Sequence, residues 1–340
     1  MSKVRLADIA QKVGVSTVTV HNALVGNKGV SEELKETIQK IADEMGYQPV
    51  GSRGAKRMEN SAGFIKIGVL IAENYLAQYS TFYWKMYQEL ALLATEKHCF
   101  TTVEVLKKVA ERQTFALPQC IEEKTVDGLV IIGEIGKTYI NKLKKATSIP
   151  IVFLDFYDKD LAKDAVIADS FYGMYLMTEL LFQNGYKELA FVGSIHVTSS
   201  IMDRYFGFAK SMMEHKKEIW PEWVIEDRDE LGQIQFELPK RLPEAFVCNC
   251  DLTAGLLIEK LNEEGYRVPE DIAVVGFDNY LYPGFADFKI TTYEVNTRAM
   301  TKVALNKILK RLKNPESGQG LEIVSGKIVI KKSVKLKEKE

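Results

Sequence analysis

A chain of 340 residues is longer than one small core organises, and its length suggests about two to three domains. Apolar residues make up 46% and charged residues 27%, an ordinary globular balance, and 45 basic against 46 acidic side chains leave a net charge of −1. That balance excludes a uniformly basic nucleic-acid coat, so any affinity for DNA has to come from a local patch. No run of about 18 apolar residues marks a membrane span, and no charged-then-apolar leader opens the sequence. Cys99, Cys120, Cys248 and Cys250 include no CxxC pair, which fits reduced thiols in a cytoplasmic protein. Cys248-x-Cys250 beside Asp251 could be a fragment of a metal site, but no clustered His or further Cys supports it, and no metal or cofactor is expected.

In chain order, Leu6, Ile9, Ala10 and Val13 recur at i, i+3, i+4 and i+7 and predict a short amphipathic helix that Gly14 stops. Ser16 is a good N-cap for a second helix. On it Val20, Ala23 and Leu24 form one apolar stripe, and Thr17, Val18, His21 and Asn22 lie on the other face. That outer face is short-chained and carries hydrogen-bonding groups and one methyl pair, which suits base edges in a major groove. An ordinary solvent-facing helix would look the same, so the helix alone leaves both readings open. Ser31 caps a third helix with Glu32 and Glu33 in its first turn, Leu34, Ile38, Ile41, Ala42 and Met45 as its stripe, and Gly46 at its end. Two short helices around a Gly-containing turn are the helix-turn-helix pattern.

Residues 50–65 contain Gly51, Ser52, Gly54, Ser61 and Gly63, and the positive charges of Arg53, Lys56 and Arg57. This reads as an interdomain tether with no stable structure in isolation. Buried-strand patterns then recur at 65–71, 101–106, 127–133, 150–155, 189–193, 245–249 and 272–277. Helical patterns lie between and after them at 82–97, 171–184, 205–215, 252–264 and 298–312. Strands alternating with helices predict βαβ units and parallel sheets, whose ligands bind outside the carboxyl ends of the strands. Asp155, Asn249, Asp251, Asp278 and Asn279 all fall at such ends. Asp169 precedes a helix and could be its N-cap. Each of these residues, taken singly, could be a cap or a solvated loop residue. Tyr75, Phe82 and Tyr83 could stack on a ring-shaped ligand or belong to the core of the following helix. Lys331, Lys332, Lys335, Lys337 and Lys339 read as a solvated tail.

Leu6-Ala7-Asp8-Ile9-Ala10, Gly14-Val15-Ser16, Thr19-Val20, Val30-Ser31 and Gly46-Tyr47-Gln48-Pro49 together resemble the DNA-binding domain of the LacI/GalR repressors. Arg204-x-x-Gly207-Phe208, Asn249-x-Asp251 and Val268-Pro269-Glu270-Asp271, followed by Gly276-Phe277-Asp278-Asn279, resemble the effector domain of the same family. The likeness is loose between residues 73 and 150. It implies an N-terminal all-α helix-turn-helix domain and an α/β periplasmic-binding-protein-like core of two parallel-sheet subdomains. The implied boundaries are 1–48 for the helix-turn-helix, 49–63 for the hinge and 64–340 for the core. Within the core, one subdomain takes 64–165 with 296–324, and the other takes 166–295 with 325–340.

By the same resemblance Ser16, Thr17, Val18, Thr19, His21 and Asn22 contact DNA. The family usually has Ser-Arg where this chain has His21-Asn22. Asn pairs with adenine N6 and N7 where Arg pairs with guanine, and Val18 offers apolar contact suited to a thymine methyl, so an A·T-leaning half-site is expected. His21 touches a phosphate or faces solvent. Ala55-Lys56-Arg57-Met58 stands where the family has a hinge helix with a wedging Leu, displaced by two residues, and Val50 replaces the usual Asn. Met58 becomes the wedge candidate, beside Arg53, Lys56 and Arg57.

The resemblance makes Arg204 and Asp278 the leading effector contacts, with Asp155 and Asn249 behind them. Cys250 interrupts the family's usual Asn-Asp pair before Asp251. The implied protein is a cytoplasmic homodimeric repressor, not an enzyme, that binds a palindromic DNA operator and is controlled by a small molecule, most often a sugar or sugar derivative. Alternatives are a sugar-binding protein without a DNA role, whether cytoplasmic or secreted, and a corepressor-dependent regulator with a nucleobase-like ligand. An enzyme on a doubly wound fold would need a phosphate loop, a dinucleotide fingerprint or a nucleophile elbow, and GxxxxGK[ST], GxGxxG and GxSxG are all missing.

Overall fold

A computed structural model of the chain describes residues 4–25, 30–45, 47, 64–76, 82–160, 164–229, 233–317 and 320–337. The hinge residues Arg53, Lys56, Arg57 and Met58, and Gly46, lie outside the described residues. The chain divides into two units, Met1–Gly63 and Phe64–Glu340.

In the first unit α1 (Leu6–Val13), α2 (Thr17–Val25) and α3 (Glu32–Glu44) enclose Ile9, Ala10, Val20, Ile38, Ala42 and Tyr47. Their ends are set by local chemistry. The Arg5 backbone N–H donates to Asp8 Oδ2 at 2.7 Å to open α1. Gly14, at φ +77°, closes it with its N–H on the Ala10 carbonyl. Ser16 Oγ accepts from the Thr19 N–H at 3.0 Å, the cap expected from its position before α2.

The second unit holds two six-stranded sheets. The first has the order β11-β5-β4-β3-β1-β2, built from β1 (Ile65–Ala72), β2 (Cys99–Leu106), β3 (Gly128–Ile132), β4 (Ile151–Leu154), β5 (Asp164–Ala168) and β11 (Gly320–Val324), all parallel. The second has the order β12-β10-β9-β8-β6-β7, built from β6 (Leu189–Val192), β7 (Val224–Ile225), β8 (Ala245–Cys248), β9 (Ala273–Asp278), β10 (Thr291–Glu294) and β12 (Lys327–Val329). Only the β10–β12 pairing is antiparallel there.

The chain passes between the sheets three times, after β5, after β10 and after β11. One continuous apolar core runs through both, from Ile67 and Val152 to Phe191 and Phe277. Helices cover the sheets: α4 (Phe82–Glu96), α5 (Lys137–Ala146) and α9 (Thr297–Lys313) over the first, and α6 (Ser170–Gln183), α7 (Ser199–Glu214) and α8 (Asp251–Glu263) over the second. A buried ion pair, Arg311 Nε to Asp164 Oδ2 at 2.6 Å, ties α9 to β5.

Several expectations change. Helix α7 begins six residues before the expected Tyr205, because Thr198 accepts the Ile201 N–H and caps it. Asp169 precedes α6 but makes no side-chain cap; its carboxylate takes the Ser325 hydroxyl at 3.4 Å instead. The segment after β12 is no solvated tail. Ser333 is buried, accepts the Thr291 N–H and donates to the Val274 carbonyl. Lys331 Nζ reaches Asn279 Oδ1 at 2.7 Å, and Lys335 Nζ reaches the Glu270 carbonyl at 2.8 Å. Lys339 is outside the described residues.

Helices α6 and α7 pack closely because Gly207 has no side chain. A Cβ there would stand 2.1 Å from the Phe171 carbonyl oxygen. Gly207→Ala therefore forces the helices apart and should destabilise the protein by about 1–3 kcal/mol, read as a lower urea midpoint at unchanged slope. A midpoint equal to wild type would disprove the close-approach account.

Candidate ligand cleft and nucleic-acid interface

The strand carboxyl ends of both sheets converge on one cleft. Asp155 directly follows β4, and Asp278 ends β9. The backbone of each is in the left-handed region, at φ +69° and φ +105°, and Asn279 is there too at +51°. Such positions cost energy in non-glycine residues and persist where the surroundings over-determine them. They turn both carboxyls off the strand ends and into the cleft.

Arg204 projects from α7 between them and is only 5% exposed. Its Nη1 donates to the Asn249 carbonyl at 2.8 Å, Nη2 lies 3.4 Å from Asp278 Oδ1, and Cζ sits 4.1 Å over the Phe277 ring. Nε has no partner among the described residues, and the same holds for Asp155 Oδ1. The Tyr83 phenol faces Asp155, and its ring centre is 4.5 Å from that of Tyr75. The Tyr75 hydroxyl donates to the Glu134 carbonyl at 2.8 Å.

Burial dominates the electrostatics. It pushes the Asp155 carboxyl up to about 6 and Asp278 up to about 7, against the pull of Arg204 on both. The Tyr83 phenol is raised by burial and by Asp155.

The structure thus gathers Arg204, Asp278, Asp155, Tyr75 and Tyr83. Three other expected residues sit differently. Phe82 is 4% exposed and packs with Met86 and Leu90 in the core. Asn249 offers its carbonyl, while its amide donates to Asp227 Oδ2 at 2.6 Å and to the Val192 carbonyl at 3.1 Å. Asp251 is the first residue of α8, and Cys250 holds the N-cap position, which explains the interrupted Asn-Asp pair. The Asp251 carboxylate turns under β9, accepts the Tyr280 N–H at 3.0 Å and borders a separate pocket of about 340 Å³.

Some participants carried no sequence signal. Asp227, fully buried after β7, binds Asn249, Thr253 and Ser194. Arg228 follows it, with Nη2 beside Cys250 Sγ. Glu134 accepts from the Ser199 N–H and hydroxyl at 2.8 and 3.0 Å, and Tyr157 donates to Asp203 at 3.1 Å, so both residues tie the first subdomain to α7. The stretch around Arg228, Glu226-Asp227-Arg228-Asp229-Glu230, is charged at every position and reads as a solvated loop until the fold sets β7 beside β6.

In the helical unit, Ser16, Thr17, Val18 and His21 are exposed on α2, Val18 at 65%, while Thr19 and Asn22 are half-buried. Val20 is fully buried on the opposite side. This leaves a short-chained face of the second helix open, as a major-groove reader requires.

Comparison with known proteins agrees with both halves. Residues 5–50 match the family described as bacterial regulatory proteins, lacI family, and residues 178–334 match a periplasmic binding protein-like domain. The HTH-type transcriptional repressor PurR of Aliivibrio salmonicida is 25% identical over 340 residues, covering 97% of this chain and 98% of the relative. The PurR of Histophilus somni is 27% identical, with the same coverage of both chains. Among solved structures, the lac repressor dimer bound to operator and the anti-inducer ONPF aligns with a TM-score of 0.65 at 21% identity, covering 98% of this chain and 99% of that one. The transcriptional regulator CelR–cellobiose complex aligns with a TM-score of 0.67 at 16% identity, over 97% and 100%. At these identities the structural likeness is one of fold.

The raised carboxyls give stability a pH dependence. Asp278 ordinarily titrates at 3.8, so between about pH 4 and pH 7 the folded chain holds a proton that the unfolded chain has released. Its contribution to stability falls as pH rises through that window. The groups that face it, Arg204, Asp155, Arg228 and Lys85, set the upper end. In thermal melts, the fall in Tm from about pH 5 to about pH 8 should be smaller for Asp278→Asn than for wild type; equal slopes would contradict this account.

Proposed function

We propose that the chain is a LacI-family regulator: a transcription repressor that binds an operator as a homodimer and is controlled by a small molecule held in the cleft. The observation that carries this reading is the pairing, in one chain, of an open α2 face with a cleft of buried charged side chains at the strand ends of a two-sheet core.

The α2 face supplies DNA contacts from Ser16, Thr17, Val18, Thr19, His21 and Asn22. Two such helices in a symmetric dimer read the halves of a near-palindrome about one helical turn apart. Arg53, Lys56, Arg57 and Met58 serve the minor groove at its centre, with Met58 as the apolar wedge. In the cleft, the Arg204 fork and the Asp278 carboxylate grip adjacent polar groups of the effector, Asp155 faces them from the other subdomain, and Tyr75 and Tyr83 offer ring faces. A sugar derivative fits this mixture of carboxylates and aromatic faces. The chain does no chemistry on its ligand. Binding in the cleft changes the closure of the two subdomains and, through the hinge, the affinity for DNA, a coupling of about 1–3 kcal/mol in typical cases. No helix among the described residues is long and apolar enough to cross a membrane.

The test is a selection from a randomised duplex pool with the full chain at fixed salt, since phosphate contacts make affinity salt-dependent. A palindromic consensus with a deformable centre is expected. Asn22→Ala should weaken binding by about 1–3 kcal/mol and relax selection for A·T at one position per half-site. Guanine selected there, with adenine excluded, would overturn the Asn22 assignment. No enrichment, with or without sugar and nucleobase pools, would overturn the repressor reading.

A further inference from the structure

Arg228 is a second guanidinium in the cleft wall, and its position is not explained by the grip of Arg204 and Asp278. It follows β7, its side chain is 18% exposed, and its Nη2 lies 3.6 Å from Asp227 Oδ2 and 4.0 Å from Cys250 Sγ. No other side-chain partner of this fork is found among the described residues.

Asp227 does not satisfy it. Oδ1 accepts the Ser194 N–H at 2.9 Å, and Oδ2 accepts Thr253 Oγ1 at 2.7 Å and Asn249 Nδ2 at 2.6 Å. These bonds hold the carboxylate to β6 and α8 and leave Arg228 its field without a bidentate contact. A guanidinium has five N–H donors in a planar fork, so most of this one's hydrogen-bonding capacity is unspent.

Arg204 is in a similar state. It is deeply buried, and its Nε has no partner among the described residues. The two arginines flank one turn of backbone, Arg204 bound to the Asn249 carbonyl and Arg228 set beside the Cys250 thiol. Both act on Asp278, as does Lys85 from α4. A neutral polyol gripped by Arg204 and Asp278 would leave Arg228 a largely buried cation with unused donors, which is costly. An oxyanion would fill both forks with charge-assisted bonds.

Resting on the reading of this cleft as the effector site, we propose that Arg204 and Arg228 form an oxyanion subsite, so that the effector carries a phosphate or carboxylate group. The opposite end of the ligand faces Asp155, Tyr83 and Tyr75. The opposition of the neighbouring carboxyls is weakened, because burial raises both toward neutral pH and makes each easier to protonate. An arriving anion favours their protonated, donor form.

The experiment uses the full chain and compares inorganic phosphate, glucose 6-phosphate, glucuronate and glucose at ionic strength matched with chloride. Thermal shift and titration calorimetry are the readouts. At least one anion should raise Tm in wild type, and its affinity should fall at least tenfold in Arg228→Gln, with Arg228→Lys between because it keeps charge but loses the fork. A preference among the phosphates or for glucuronate identifies which oxyanion the subsite takes. Phosphate bound by the helix-turn-helix unit survives in Arg228→Gln and is thereby separated. If no anion shifts wild-type Tm, the oxyanion subsite is overturned even where Arg228→Gln does not fold. An equal anion affinity in Arg228→Gln overturns it as well. Neutral sugars and nucleosides run in parallel protect the broader reading. A neutral compound whose binding is lost in Arg204→Gln and kept in Arg228→Gln removes the anion inference and leaves the effector cleft standing. Binding by neither set, in a protein that still selects an operator, removes both.

Discussion

The core depends on how it accommodates the buried charge of Arg204. Removing a guanidinium from water costs several kcal/mol, and that cost is offset only where counter-charge and acceptors are fixed around it. Here they come from three directions: the carbonyl of Asn249, the carboxylate of Asp278 and the ring face of Phe277. Two loops at the ends of β8 and β9 are therefore held in register by one side chain from α7. Asp155 adds a second carboxylate from the other sheet. The charge balance of the cleft is thus shared by both subdomains and belongs to neither alone.

Helix α7 collects the contacts that such a shared site needs. Its first turn is held by Glu134, its second by Tyr157 through Asp203, and Arg204 follows immediately. One turn later Gly207 lets it lie against α6 without a side chain between. A rigid element with these attachments cannot shift at one end alone, because close-packed interiors transmit displacement. Whatever engages Arg204 acts on the same helix that carries the bonds between the subdomains.

Much of this was legible in the sequence, for identifiable reasons. The helical unit was legible because its apolar spacing, Gly14 and Ser16 all point to the same boundaries. The central strands were legible because parallel strands buried on both faces read as runs such as Ile65–Ile71. Strand β5 escaped because it opens with Asp164, a carboxylate whose partner Arg311 lies far along the chain. Strand β10 opens with buried threonines that look polar in isolation. Within the cleft, Arg204, Asp278 and Asp155 were found through motif likeness and their place at strand ends. Asp227, Arg228 and Glu134 were not, since their neighbours give no periodic signal and only the strand order assembles them. Cys250 looked like an insertion until α8 was seen to begin at Asp251.

The closing strands carry a consequence for biosynthesis. Strand β11 completes the first sheet from residues 320–324, while β12 and Ser333 complete the second from beyond it. Until these segments leave the ribosome, β5 and β10 each present an open edge, and the N–H groups of Val274 and Thr291 lack the partners that Ser333 supplies. The first sheet closes only once β11 has emerged, although most of its subdomain is translated before the second begins, and the second sheet waits longer still, for β12 and Ser333. The nascent core must therefore wait, with exposed strand edges of the kind that recruit chaperones or misassemble. The helix-turn-helix unit, closed within its own short stretch, is free to fold long before.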